Sequence, residues 1–312
     1  MIRIATRNSA LAKAQASQVA DLLGGAELVE VSSDGEPGDK ARFVRGVERA
    51  LLDGEADIGV HSAKDLPAEM PDGLAIAAVP SREDPGDAWI GQGSSLEDVP
   101  EGARVGTASL RRRAQLLAAR PDLQVAELHG NVDTRLRRLG EGELDAIVLA
   151  QAGLRRLGRE GEVSFSIPRE QMTPAGGQGA LVLQARAGDE AAGQAAAQLG
   201  DDSALRELTA ERAAVALLEA TCATPIGVHA TLSGERIQAE AFVGLPDGSE
   251  WIRDRVEGDA GEPAALGAAL AERLLAAGAR EILDRAEKWW GVNEFDTDSH
   301  GQTHRPPTEE NA

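Results

Sequence analysis

Arginines and hydroxyls follow short apolar runs at four places in this 312-residue chain: TRNS at 6–9, GTASLRRR at 106–113, HGNVDTR at 129–135 and AGLRR at 152–156. A guanidinium presents a planar fork matched to a carboxylate or phosphate, and a helix start adds free N–H donors and the positive end of a dipole. One such junction is ordinarily a solvated helix start. Four converging on one cleft favour an anion site. Arginine content alone does not separate carboxylate from phosphate. There is no GxxxxGK[ST] loop and no GxGxxG after a strand, which disfavours a nucleotide.

Two further residues have chemistry of their own. Asp65 ends the run His61-Ser62-Ala63-Lys64-Asp65 after an apolar stretch. In isolation such an aspartate is as often a turn former or helix cap. At a cleft it would accept N–H bonds from a ligand and stabilise a developing cation. Cys222 lies in LEATCATPIG between a helix and a strand. A lone cysteine is ordinarily an inert small hydrophobe, but Pro225 and Gly227 favour a loop, where a thiol is exposed and reactive. The five histidines and one cysteine show no metal-ligand spacing, so no metal is expected.

To position these residues, strands must hand over to helices repeatedly, as in α/β architecture. Strands are expected at 3–5, 28–31 and 57–61, with a helix capped by Ser9 and another over 42–52. A hinge zone rich in Pro and Gly covers 80–86. Strands at 104–106, 124–128 and 146–149 then alternate with helices at 110–120, 133–139 and 153–157. The stretch TPAGGQGALVLQAR at 173–186 would return the chain to the first lobe, so that two lobes joined by a double crossing enclose a cleft. From 201 the character changes. A helix over 203–219, hairpin strands at 227–232, 236–243 and 250–256, and one helix over 264–283 predict a small antiparallel domain. A polar tail follows, with Trp289 and Trp290 holding the last helix down.

Composition narrows the class. Aromatic residues make up 3% with no Tyr, so Ala, Val and Leu must fill the interior. The net charge of −20 disfavours nucleic acid. Lys13, Lys40, Lys64 and Lys288 are the only lysines, an acidic, lysine-poor balance like that of halophile proteins. No apolar run is long enough for a bilayer, the opening MIRIATRNSA lacks the core of a signal peptide, and one cysteine excludes an internal disulfide. A cytoplasmic monomer with no membrane partner is expected.

The segments RIATRNSALA, FVRGVERALLDGEADIGVHSAKDLP, REDPGDA, VGTASLRRRAQL, HGNVDTRL, DAIVLAQAGLRRLG, GGQGA and LTAERA…CATPIG, in this order over roughly residues 1–285, resemble the porphobilinogen deaminase (hydroxymethylbilane synthase) family. The resemblance implies two periplasmic-binding-protein-like lobes, residues 1–80 with 177–200 and residues 81–176. It also implies a C-terminal α+β domain over 201–288 with a three-stranded antiparallel sheet, and a tail over 289–312. It implies the condensation of four porphobilinogen molecules into hydroxymethylbilane, with release of ammonia, in tetrapyrrole (heme) biosynthesis. Growth would start from a dipyrromethane cofactor held by a thioether to Cys222. By position Asp65 is the catalytic carboxylate, and Lys64, Thr107, Ser109, Arg111, Arg112 and Arg135 hold the cofactor or growing chain. Arg7, Ser9, His129 and Arg156 meet the substrate, and Lys40 falls in a lid. His129 stands where the family has arginine, Ala108 where it has a second serine, and the lid at 33–40 is short. These departures motivate an alternative expectation, a paralogue that keeps the two-lobed carboxylate-binding fold with little or no catalysis.

Overall fold

The computed structural model describes residues 1–32, 42–220 and 224–293. The expected lid with Lys40, the expected cofactor anchor Cys222 and the tail from 294 lie outside the described residues. The chain opens with β1 (Arg3–Arg7), α1 (Ala10–Leu22), β2 (Glu27–Val31), α2 (Arg42–Leu52), β3 (Ile58–Ser62) and β4 (Leu74–Ala78). A second block holds β5 (Asp87–Gly91), β6 (Arg104–Gly106), α3 (Leu110–Ala119), β7 (Gln124–Ala126), α4 (Val132–Gly140), β8 (Ala146–Ala150), α5 (Gln151–Arg156) and β9 (Phe165–Ile167). β10 (Leu181–Arg186) and α6 (Glu190–Ala197) follow.

Two five-stranded sheets result, ordered β2-β1-β3-β10-β4 and β7-β6-β8-β5-β9. β10 lies antiparallel between β3 and β4, with Val182 opposite His61 and Leu183 opposite Ala78. The chain therefore leaves the first lobe after β4, builds the second and returns, the double crossing expected from the 173–186 stretch. Ile4, Ile58, Leu181 and Leu183 fill the first core with alanines of α1 and α6. Trp89, stacked on Phe165 at 5.6 Å, fills the second with Val105, Leu116 and Val148.

The third part comprises α7 (Asp202–Leu217), β11 (Ile226–Ser233), β12 (Arg236–Gly244), β13 (Trp251–Asp259), α8 (Pro263–Ala276) and α9 (Ala279–Asn293). Its three strands form an antiparallel meander with paired neighbours from Ser233–Arg236 to Gly244–Trp251. The single helix expected over 264–283 is in fact two. Gly278 adopts φ +101°, a conformation that other residues rarely take, and α8 ends just before it. β4, β5, β9 and α6 were not expected. Their short or alanine-rich sequences leave little hydrophobic alternation to detect.

Candidate functional site

The parallel strands β1, β3, β6, β7 and β8 carry the junctions at their carboxyl ends, the edge where open α/β sheets bind ligands. In the first lobe Ser9 caps α1, its hydroxyl accepting from the Ala12 N–H, and Arg7 is half-buried at the end of β1. His61 is buried and its Nε2 lies 2.9 Å from Gln184 Oε1. Burial, with a smaller contribution from the Arg7 charge, pushes the imidazole down to about 4, so it is neutral at pH 7. β3 then runs into a single 3-10 turn, Ala63–Asp65, which leaves Asp65 exposed and Lys64 half-buried.

In the second lobe two side-chain caps set helix starts, and a threonine braces the first of them. The Thr107 hydroxyl, buried, accepts from the Ser109 N–H at 3.1 Å, and Ser109 caps α3 by accepting from the Arg112 N–H. Asn131 caps α4 through the Thr134 N–H. Arg111 and Arg112 follow directly in the first turn of α3, and both are buried. They are not open forks. Arg111 donates from Nη1 to Asp87 Oδ2 at 2.8 Å and from Nη2 to Oδ1 at 3.2 Å. Arg112 donates from Nε to Asp87 Oδ1 at 2.9 Å and from Nη1 to the Val148 carbonyl. Burial would raise the Asp87 carboxyl, but the two guanidiniums hold it well below the usual carboxylate range.

The two lobes meet electrostatically at Lys64. Burial pushes its ammonium down to about 8; Asp65 and Asp87 oppose that, while Arg112 and Arg111 reinforce it. Arg135 is half-buried, donates from Nε to the Gly130 carbonyl, and is pushed down to about 10 by burial and by Arg112. Arg156, also half-buried, donates from Nη2 to the Gly179 carbonyl at 2.7 Å and is lowered by burial despite the Glu83 charge. Lys64, Arg111, Arg112 and Arg135 thus crowd together with more positive charge than Asp65 and Asp87 neutralise. A ligand bearing several carboxylates fits such a cradle.

The remaining expected residues fall less neatly. His129 is 72% exposed at its side chain, and its Nε2 lies 2.6 Å from Glu127 Oε1. Arg113, the third arginine of GTASLRRR, is half-buried and donates to the Val125 carbonyl. Asp87 and Gln178 were missed. The second aspartate of REDPGDA, at the start of a strand, was the only signal for Asp87, and Gln178 sat unremarked inside GGQGA. Among the described residues no cluster of His, Cys, Asp and Glu could hold a metal ion, and no helix is long and apolar enough to cross a membrane.

Comparison with known proteins adds a family. A family model described as porphobilinogen deaminase, dipyromethane cofactor binding domain, matches residues 2–194, and one for the C-terminal domain matches residues 205–276. The porphobilinogen deaminase of Thiobacillus denitrificans is 44% identical over 300 residues, covering 91% of this chain and 98% of its own. That of Brevibacillus brevis is 43% identical over 298 residues, covering 90% of this chain and 96% of its own. Among solved structures, the periplasmic VFT2 domain of BvgS from Bordetella pertussis is similar at 17% identity and a TM-score of 0.38, over 65% of this chain and 89% of that one.

Proposed function

The chain belongs to the porphobilinogen deaminase family, and from that membership we propose how its residues divide the work. The enzyme is a transferase that joins four porphobilinogen molecules into hydroxymethylbilane and releases ammonia at each step. Its cofactor is a dipyrromethane, which when bound supplies the pyrrole carbon that attacks the incoming substrate. Each pyrrole brings an acetate and a propionate, so the ligand grows more anionic as the product lengthens. Arg111, Arg112, Arg135 and Lys64 hold those carboxylates on the second-lobe side, supported by Ser109 as the cap of α3 and by Thr107, which accepts from the Ser109 N–H. Arg7, Ser9, His129 and Arg156 meet the substrate.

Asp65, exposed at the end of the first-lobe turn, accepts pyrrole N–H bonds and stabilises the positive charge left when ammonia departs. It also takes up the proton that the attacking carbon must lose. Cys222 holds the cofactor through a thioether. The observation that carries this reading is the convergence of Lys64 with Arg111 and Arg112. It sets a cationic cradle for a polycarboxylate beside the one exposed carboxylate of the turn. The acidic surface suits work at high salt as a cytoplasmic monomer, without metal or nucleic acid.

Intact-mass spectrometry of protein from cells that make porphobilinogen tests the assignment. The wild-type chain should carry the added mass of a dipyrromethane, and Cys222→Ala should lack it. An unmodified wild-type mass overturns the cofactor assignment. A full load with no porphobilinogen consumed would assign the chain to a paralogue that binds without catalysis.

A further inference from the structure

Asp87 is a fully buried carboxylate with no counterpart in the division of work above. Desolvating an ionised carboxylate is costly unless charge and hydrogen bonds replace the lost water. Here they do. Both oxygens are bound by Arg111, Oδ1 is also bound by Arg112, and Gln178 donates to Oδ1 from Nε2 at 3.1 Å. The arginines are consecutive on α3, and side chains one residue apart on a helix diverge by roughly 100°. Their heads also repel each other. Only a shared anion between them makes the two guanidiniums converge.

Gln178 extends the arrangement to the hinge. Its side chain donates to the Pro85 carbonyl at 2.6 Å and to the Gly86 carbonyl at 3.3 Å, on the first crossing between lobes, while its own backbone belongs to the second. A further hydrogen bond runs from Arg111 Nη1 to the Thr173 carbonyl, on the same second crossing. The carboxylate is therefore fixed relative to both crossings, and the arginines are fixed relative to it.

We propose that Asp87 is a positioning residue for the anion grip: its carboxylate locks Arg111 and Arg112 into one orientation in which they receive the carboxylates of the dipyrromethane and the growing chain. This rests on the reading that the grip holds that cofactor. Asp87 touches neither substrate nor cofactor, and acts through the arginines. Preorganised donors lose less freedom on binding than mobile ones, so the benefit appears as ligand affinity.

The test is Asp87→Asn in the full chain, which keeps the shape and removes the charge. Three readouts are taken: dipyrromethane occupancy by intact mass, KM against kcat for porphobilinogen, and melting temperature. The expected result is a folded protein with occupancy reduced at least several-fold and, in the loaded fraction, KM raised more than kcat is lowered. A lowered melting temperature with occupancy and KM within about twofold of wild type would overturn the proposal, leaving Asp87 a structural brace only. Should Asp87→Asn fail to fold, Gln178→Ala decides. It loosens the carboxylate without touching the arginines, and should raise KM in the same direction; an unchanged KM and occupancy overturns the proposal. A wild-type chain without the dipyrromethane mass would count against the cofactor reading itself, so the two failures are distinguishable.

Discussion

Lys64 lies half-buried between Asp65 and the arginine pair, and its ammonium is pushed down to about 8 by burial first and by the neighbouring guanidiniums after it. Its folded pKa is below the ordinary 10.5, so the folded state carries a penalty at neutral pH that is relieved as pH rises from about 8 towards 10.5. Function runs the other way, because a neutral amine no longer attracts a carboxylate. Loading of cofactor-free protein should therefore slow several-fold as pH rises through 8, and Lys64→Arg should flatten that limb. A pH profile of loading, followed by intact mass, checks it; an identical limb in the variant would assign the titration elsewhere. His129 gives a second residue-level prediction. An arginine there meets Glu127 first, forming an exposed pair worth about 0–1 kcal/mol and spending much of the new fork. His129→Arg alone should tighten apparent substrate affinity by less than ~1 kcal/mol, and His129→Arg with Glu127→Gln by about 1–3 kcal/mol. Steady-state KM values for the two variants separate the cases.

At the scale of elements, the turn carrying Asp65 is held from behind by the second crossing. Gly177 has φ +77°, and a Cβ added there would lie 2.8 Å from the Ala63 Cβ and 2.9 Å from the Lys64 backbone nitrogen. Gly177→Ala must displace the Ala63–Asp65 turn. A shift approaching 1 Å at a catalytic group costs on the order of 100-fold in rate, so kcat should fall by about 10- to 100-fold. Gly54→Ala is the control: φ is +72° with nothing within 4 Å of the added atom, so it bears a similar backbone cost of about 1–2 kcal/mol and should leave kcat alone. Elements of this kind were only partly legible in the sequence. Ser9 and the expected helix over 42–52 could be read because caps and apolar periodicity are local signals. The break between α8 and α9 was not, since a glycine inside a helical pattern costs only about 1 kcal/mol and is often tolerated. The arginines of α3 were readable as anion donors. Their closure on Asp87, 24 and 25 residues away in sequence, was not, because a contact between a helix and a distant strand leaves no periodic trace.

At the scale of the whole molecule, one carboxylate joins all three parts. Glu211 of α7 is fully buried and receives Arg82 Nη1 at 2.7 Å and Nη2 at 3.0 Å, from the first crossing. It also accepts from the Gly177 N–H on the second crossing at 2.6 Å, and from the Ala230 N–H of β11 at 2.8 Å. His229 Nδ1 completes the set at 3.1 Å. Burial opposes ionisation, but Arg82 and His229 bring the carboxyl down to about 2. A carboxylate depressed below its ordinary 4.5 contributes stability above that pH and loses it as pH falls towards about 2. Glu211→Ala removes one member of a buried pair and leaves Arg82 with Glu207 at 3.4 Å and the Gln178 carbonyl as its remaining partners, which should cost about 3 kcal/mol at pH 7. The lost contacts are among those that join the lobes to the third domain, beside the bonds from Arg212 to the Pro67 and Ala68 carbonyls and from the Val228 N–H to the Pro174 carbonyl, so calorimetry of the variant should show a broader unfolding transition than the wild type. The gap in stability between wild type and Glu211→Gln should narrow as pH is lowered from 4.5 towards 2, where the native side chain also becomes neutral. A gap that stays constant across that range would place the contribution of Glu211 in packing rather than charge.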